Sequence, residues 1–170
     1  MKLYNKSWKR LLTFVCLSVG IISHATAETC TTPLEFKKQI PMNWEYSKST
    51  HENKNNSITL VNLWAVWCPP CIKELPMLDQ LNKHSHINVE TIHLGGNSEK
   101  VTPRFIKLNI ETLPEYSEPD YSLLDRWLFN ALPATLIVID GKVRYRRQGL
   151  ITSTEEQLST WMNCLNAEES

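Results

Sequence analysis

The sequence is poor in glycine and has no motif that binds a nucleotide. Only five of its 170 residues are glycine, and they form no Gly-x-Gly-x-x-Gly or Walker-type loop. Such loops let the backbone approach a pyrophosphate closely. Their absence argues against a nicotinamide or flavin site, so we expect no cofactor of this kind. The chain also lacks internal repeats and low-complexity tracts, which favours one globular domain.

The chain also has no excess of positive charge. It contains 18 basic and 18 acidic residues, and four of the basic ones lie within the first ten positions. Without this N-terminal part, 14 basic residues face 18 acidic ones, a net charge of about −4. Nucleic-acid-binding domains carry a basic patch. We therefore expect no nucleic-acid partner, and we expect a monomer.

Long hydrophobic runs are absent apart from one near the N-terminus. A basic start is followed by twelve mainly apolar residues, 11–22, and by Ala25-Thr26-Ala27, which fits a small-x-small cleavage site. Twelve residues are too few to cross a bilayer, which needs about 20. We predict a signal peptide at 1–27, cleaved after Ala27, and export to the periplasm; a retained tether is the alternative. The rest divides into an N-terminal extension, 28–57, and one domain, 58–170.

Cysteine is scarce but is placed where it can react. Cys68-Pro69-Pro70-Cys71 follows an apolar run, at the point where a strand is expected to lead into a helix. Unpaired N–H groups at a helix N-terminus stabilise a thiolate, which is the reactive form in thiol–disulfide exchange. A zinc site would need two more ligands at matched spacing, and neither the remaining cysteines nor the histidines supply them. The pair is therefore predicted to be a redox-active disulfide, with an inert disulfide or a metal site as alternatives.

The hydrophobic pattern predicts an α/β fold: a central mixed β-sheet with helices on both faces. A strand that is apolar at nearly every position, a helix and a second strand imply a parallel pair with a right-handed crossover. Asp140-Gly141 marks a β-hairpin that adds antiparallel strands. Ser153 and Glu156 are predicted to form a capping box at the last helix. Predicted strands are 42–46, 58–64, 88–94, 134–139 and 142–147; predicted helices are 69–84, 98–109, 121–129 and 154–165; a loop is expected over 113–120.

Two blocks of sequence carry a resemblance to a known family. They are Trp67-Cys68-Pro69-Pro70-Cys71 with Glu74-Leu75-Pro76, and Leu132-Pro133-Ala134-Thr135 leading into a strand and Asp-Gly. Over residues 58–165 the chain resembles the thioredoxin fold, and more closely its exported TlpA/ResA-like branch of thiol–disulfide reductases, which includes the cytochrome c maturation reductases. Residues 30–56 do not match the β-hairpin with which members of that branch usually begin. Residues 129–131 stand shortly before the second block, where members of the branch often have a Gly or Val.

The cysteines differ in their expected roles. Cys68 comes first in the motif, at the exposed end of the helix, and is the predicted nucleophile. Cys71 lies about one turn further in and is the predicted resolving thiol. Pro69 and Pro70 occupy the first helical turn, where a missing N–H costs little. They withdraw donors from the sulfur and are expected to tune the redox potential.

A proton acceptor is expected at Glu74. Asn62 stands six residues before Cys68, where thioredoxins have a buried Asp, and an amide cannot act as a base. The TlpA-like branch commonly has Asn there. Glu74 lies three residues after Cys71, on nearly the same helical face. A partly buried carboxylate has a raised pKa and could accept the proton of Cys71; a solvated surface glutamate is the alternative.

The resemblance also implies a client-binding surface. Pro133 is expected to follow a cis peptide bond and to pack beside the cysteines. The backbone of Leu132 would then pair with an extended client segment, a strand-like mode of recognition. Trp67 is expected to shield the disulfide and to contact clients.

Cys30 and Cys164 lie near the two ends of the chain that remains after cleavage. In an oxidising compartment a structural disulfide between them is one interpretation; two free thiols and an intermolecular bridge through Cys164 are the others, and the sequence leaves the choice open.

These expectations favour a thiol–disulfide oxidoreductase that reduces disulfides of client proteins such as apocytochrome c or copper-site proteins. A membrane donor of thiol–disulfide type would recharge it. A dithiol oxidase is the first alternative. A copper(I)-binding chaperone that uses Cys68 and Cys71 as soft ligands is the second. A noncatalytic adaptor is the third.

Overall fold

The structure is a computed structural model that describes residues 30–48, 58–84 and 87–168. The predicted signal peptide lies outside these residues, as does most of the polar segment that precedes the first apolar strand. Among the described helices, none is long and apolar enough to cross a membrane.

A six-stranded mixed sheet forms the centre of the molecule, together with four α-helices. The strands are β1 Lys37–Asn43, β2 Ile58–Trp64, β3 Asn88–Leu94, β4 Tyr116–Glu118, β5 Ala134–Ile139 and β6 Lys142–Gln148; the helices are α1 Pro69–His84, α2 Val101–Leu108, α3 Ser122–Arg126 and α4 Glu155–Glu168. The strand order is β1-β6-β5-β2-β3-β4. The β2–β3 and β3–β4 pairs are parallel, whereas β1–β6, β6–β5 and β5–β2 are antiparallel.

Strand β2 is buried along its whole length. It lies between β3 and β5 and is covered on both faces, which explains why its sequence is apolar at nearly every position. The chain then runs directly from the end of β2 through Cys68 into α1. The reactive loop is thus attached to a strand that is buried at every residue.

The buried hydrophobic side chains form two cores, and the helices divide between them. One core contains the buried side chains of α1, α2 and α4, and the other contains Leu123, Leu124 and Trp127 of α3 and its C-terminal end. The prediction of a sheet with helices on both faces is therefore confirmed. Trp64 and Trp161 are buried in the first core.

The predicted boundaries of β2, α1, β3 and β5 agree with the structure. The helix predicted over 121–129 is shorter, Ser122–Arg126, and three other predictions at the periphery were wrong. The first strand covers Lys37–Asn43 rather than 42–46, and it pairs with β6. The predicted loop 113–120 contains the short edge strand β4. The segment predicted as one helix over 98–109 begins as a 3-10 turn, Ser98–Lys100.

The predicted capping box of α4 is displaced by one residue. Thr154 and Gln157 make the reciprocal bonds: Gln157 N–H donates to Thr154 Oγ1 at 3.2 Å, and Thr154 N–H donates to Gln157 Oε1 at 2.9 Å. Ser153 is engaged elsewhere. Its N–H and its hydroxyl both donate to Glu35 Oε1, at 2.9 and 2.7 Å, and this joins the N-terminal segment to the start of α4.

Candidate active site

Cys68 and Cys71 form a disulfide at the N-terminus of α1. Cys68 N–H donates to Ala65 O at 3.0 Å, and Ile72 N–H donates to Cys68 O at 3.1 Å. These bonds make Cys68 the residue that precedes the helix. Its sulfur accepts a hydrogen bond of 3.3 Å from Cys71 N–H. The position is the one at which a helix N-terminus stabilises a thiolate.

The two prolines limit this stabilisation. They occupy the first two positions of α1 and carry no N–H. Of the first three helical residues, only Cys71 can therefore donate a backbone hydrogen bond to the sulfur of Cys68.

The expectation that Cys68 lies at an exposed position was wrong. Cys68 is 3% exposed and Cys71 is fully buried, whereas the neighbouring Trp67 is 60% exposed. Both cysteines belong to the larger core, and Leu132 packs against it. Hydrophobic packing draws the disulfide under the surface. Trp67, Pro69 and Pro70 are the exposed residues of the motif.

A cis peptide bond joins Leu132 to Pro133, as expected from the resemblance. Pro133 immediately precedes β5, whose first residue, Ala134, pairs with Leu63 near the end of β2. Gly149 N–H donates to Pro133 O at 2.8 Å, so the turn after β6 holds this proline. The proline segment and the chain entering the cysteine motif therefore lie at the same edge of the sheet.

Glu74 is a buried carboxylate in the second turn of α1. It is 3% exposed, which rules out the alternative of a solvated surface residue. Its Oε1 accepts a hydrogen bond of 2.7 Å from Asn62 Nδ2, and its Oε2 accepts one of 3.1 Å from Ile151 N–H. Burial raises the pKa of Glu74 to about 7, and the hydrogen bonds and the charge of Arg147 only partly oppose this effect. At neutral pH the group can both accept and release a proton.

Asn62 orients this carboxylate from the adjacent strand. It is fully buried, and its Nδ2 donates both to Glu74 and to Thr135 Oγ1, the latter at 3.2 Å. Asn62 and Thr135 are register partners in β2 and β5. The amide supplies a neutral hydrogen bond where a cation would have kept the carboxylate ionised.

Sequence reasoning missed four residues around this site. Thr135 and the backbone of Ile151 complete the hydrogen bonds of Asn62 and Glu74, Arg147 contributes charge, and Tyr121 accepts a hydrogen bond from Trp67. Thr135 lies within the quoted Leu-Pro-Ala-Thr block, so a signal for it existed. The other three lie in loops or at strand ends whose position depends on the tertiary fold.

A second disulfide joins Cys30 to Cys164, one of the arrangements that the sequence left open. It connects the start of the described chain to α4, across a sequence separation of 134. Cys30 N–H also donates to Glu168 Oε1 at 3.0 Å. This disulfide belongs to the terminal segments and not to the site around Cys68.

Three features define a thiol–disulfide oxidoreductase with a thioredoxin-like fold. They are a Cys-x-x-Cys disulfide at a helix N-terminus, a cis-proline at the same edge of the sheet, and a buried carboxylate three residues after the second cysteine. The chain belongs to the AhpC/TSA family, whose model matches residues 33–146.

Relatives with known names fit this class. Sporulation thiol-disulfide oxidoreductase A of Bacillus subtilis is 27% identical over 169 residues, which cover 90% of this chain and 96% of that protein. Thiol-disulfide oxidoreductase ResA of the same organism is 30% identical over 113 residues, covering 65% of this chain and 62% of ResA. Among solved structures, the pneumococcal exposed lipoprotein thioredoxin Etrx1 of Streptococcus pneumoniae superposes with a TM-score of 0.56. It is 19% identical, and the match covers 64% of this chain and 85% of that one.

Proposed function

We propose that the protein is an exported reductase that opens disulfides in particular client proteins, with Cys68 as nucleophile, Cys71 as resolving thiol and Glu74 as proton acceptor. Apocytochrome c and copper-site proteins are the proposed kinds of client. The proposal includes cleavage after Ala27, a periplasmic location and action as a monomer.

The direction of electron flow is inferred from how poorly the site stabilises a thiolate. Strong oxidants of this class are oxidising because their reduced form is stabilised. Among the described residues, a single N–H, that of Cys71, reaches the Cys68 sulfur, and two prolines replace the other early donors. The buried carboxylate of Glu74, three residues beyond Cys71, further disfavours negative charge nearby. This scarcity of thiolate stabilisation is the observation that carries the proposal.

The reaction balances as two successive exchanges. The Cys68 thiolate attacks one client sulfur, forms a mixed disulfide and releases the other client sulfur as a thiolate. Cys71 then transfers its proton to Glu74 and attacks the Cys68 sulfur. This restores the Cys68–Cys71 disulfide and releases the second client thiolate. The client gains two electrons, the protein loses two, and solvent protons complete the client thiols.

Recharging requires a dithiol donor, because each cycle leaves the protein oxidised. We propose a membrane thiol–disulfide protein for this role, with no nicotinamide, flavin or metal bound to this chain. The description of Etrx1 as an exposed lipoprotein supports a location outside the cytoplasm.

The test is the reduction potential of the Cys68–Cys71 pair, measured against glutathione with the Cys30–Cys164 disulfide monitored separately by mass spectrometry. We expect a value near or below about −250 mV, on the thioredoxin side. A value near about −120 mV would identify a dithiol oxidase instead. Failure to cycle, together with stoichiometric binding of copper(I) by the reduced protein, would favour the copper chaperone.

A further inference from the structure

The exposed ring beside the disulfide is held in place by a residue that is distant in sequence. Trp67 Nε1–H donates a hydrogen bond of 3.3 Å to the hydroxyl of Tyr121, 54 residues further along the chain. Tyr121 is 40% exposed and directly precedes α3. Among the described residues, none accepts a hydrogen bond from this hydroxyl group. One tyrosine oxygen thus fixes the indole and keeps a donor available to a bound molecule.

A close approach of backbone to ring sets the position of this tyrosine. Gly95, after β3, is buried and has φ +82°, and a Cβ built there would lie 2.5 Å from the Tyr121 hydroxyl oxygen. Gly95 N–H donates to Asp120 O at 3.2 Å, which joins the two loops. A side chain at position 95 would therefore displace the Tyr121 hydroxyl. The adjacent Gly96 is exposed, and a Cβ there would meet nothing within 4 Å.

We propose that Tyr121, seated against Gly95, is a positioning residue that holds Trp67 as an aromatic platform for an apolar or aromatic side chain next to the client cysteine. This inference rests on the proposed function and specifies the class of client that the site selects.

The covalent step itself brings this part of the client to the platform. When a client cysteine is bonded to the Cys68 sulfur, its neighbours in sequence lie within reach of the residue adjacent to Cys68, which is Trp67. A ring whose N–H is already bonded presents its apolar faces and loses little conformational freedom when a client binds. The free Tyr121 O–H can donate to a client backbone carbonyl without selecting a side chain. An apolar contact beside a backbone contact therefore favours a flanking apolar residue over a charged one.

The test uses the reduced full-length protein in single turnover with three disulfide-linked peptides that differ only beside the cysteine, where they carry Phe, Ser or Lys. We expect the Phe peptide to react fastest. Tyr121→Phe should lower the Phe-to-Ser rate ratio about fivefold, the effect of losing one neutral hydrogen bond. Gly95→Ala should lower it similarly, because the added methyl group would displace the Tyr121 hydroxyl although it does not touch the client.

Two further measurements separate positioning from a general structural effect. The indole N–H resonance of Trp67, identified as the one missing in Trp67→Phe, should shift in Tyr121→Phe and Gly95→Ala and stay in place in Gly96→Ala. The double variant Trp67→Phe/Tyr121→Phe should lose no more selectivity than Trp67→Phe alone.

Each contrary result has a distinct meaning. A preference for the Lys peptide, equal rates for all three peptides, or full additivity in the double variant would overturn this inference and leave the reductase intact. Failure of the reduced wild-type protein to open any of the peptides would instead overturn the proposed function.

Discussion

Asn62 Nδ2 donates a 2.7 Å hydrogen bond to Glu74 Oε1, and this bond joins the central strand to the first helix behind the redox-active cysteines. Both residues are buried. Since the donor is a neutral amide, the carboxylate is bonded but its charge is not neutralised, and burial raises its pKa to about 7. The pair is therefore the element of the site that responds to pH in the neutral range.

Glu74 should make the oxidised protein less stable as the pH rises from about 4.5 to about 7. Its pKa is higher in the folded protein than the ordinary 4.5, so the folded state binds more protons in this window and the unfolded state is favoured as they are lost. The free energy of unfolding should fall by about 3 kcal/mol across the window from this group alone. Denaturant unfolding of wild type and Glu74→Gln at pH 5 and pH 8 should show this difference in pH dependence. The exposed Glu45→Gln variant is the control, and an equal pH dependence in wild type and Glu74→Gln would contradict the assignment.

Replacing Asn62 by Asp should shift the pH dependence of the resolving step to higher pH. Two carboxylates at 2.7 Å cannot both ionise easily, so the pair would retain one proton to higher pH. We expect the midpoint of resolution in single-turnover kinetics to rise by about one unit or more. Asn62→Ala removes the hydrogen bond without adding charge and should produce a smaller rise. A midpoint unchanged in both variants would mean that Glu74 does not control the step.

Removing the second disulfide should destabilise the fold without altering the redox pair. The Cys30–Cys164 crosslink closes a loop across a separation of 134, which is worth about 5 kcal/mol by the chain-entropy account. The double variant Cys30→Ala/Cys164→Ala should therefore unfold at a much lower denaturant concentration. Its Cys68–Cys71 reduction potential should equal that of wild type. A changed potential would show that the two disulfides are coupled.

Asp79 should stabilise the packing of α1 against the segment that follows α2. Its Oδ1 accepts hydrogen bonds from Glu111 N–H, Thr112 N–H and the Thr112 hydroxyl, at 3.1, 2.8 and 2.9 Å. Burial acts to raise the pKa of Asp79, but its bonds to Lys83 and Thr112 lower it below the ordinary 3.8. The stabilisation is therefore present above about pH 4 and is lost as the pH falls through the lowered pKa.

Asp79→Asn is the test of that role. We expect the free energy of unfolding at pH 7 to fall by about 2–3 kcal/mol, because hydrogen bonds to a charged group are replaced by fewer neutral ones. Lys83→Met, which removes the partner of Asp79 at 2.9 Å, should cost less, since Lys83 is partly solvated. If both variants cost the same, the ion pair and not the backbone bonds would account for the stabilisation.

The central elements of the fold could be predicted from local sequence, and its edges could not. Strand β2 is long, β-branched and apolar, and α1 begins at two prolines, so local chemistry specified both. Strand β4 has only three residues, and it forms because Ile92 and Leu94 of β3 offer register partners to Tyr116 and Glu118. The cap of α4 shifted because Glu35, 118 residues away, bonds Ser153 and leaves Thr154 to cap the helix.

The candidate site was predictable in the same uneven way. The spacing from Cys71 pointed to Glu74 because both lie on one helix. The bond from Ile151 N–H to Glu74 spans 77 residues, and that from Trp67 to Tyr121 spans 54. Contacts of this range are determined by how β5, β6 and the loops pack, and no local pattern encodes them. The depth of Cys68 was misjudged for the same reason.

The Cys30–Cys164 bond also decides how the domain would carry a mechanical load. Strand β1 is an edge strand, and it pairs only with β6 in the described sheet. A pull on the chain before residue 30 would otherwise peel this strand away one hydrogen bond at a time. The covalent link passes part of that force directly into α4, which packs against the core. A domain tethered or dragged by its N-terminus would thus be held through its last helix, and its N-terminal edge strand would be spared.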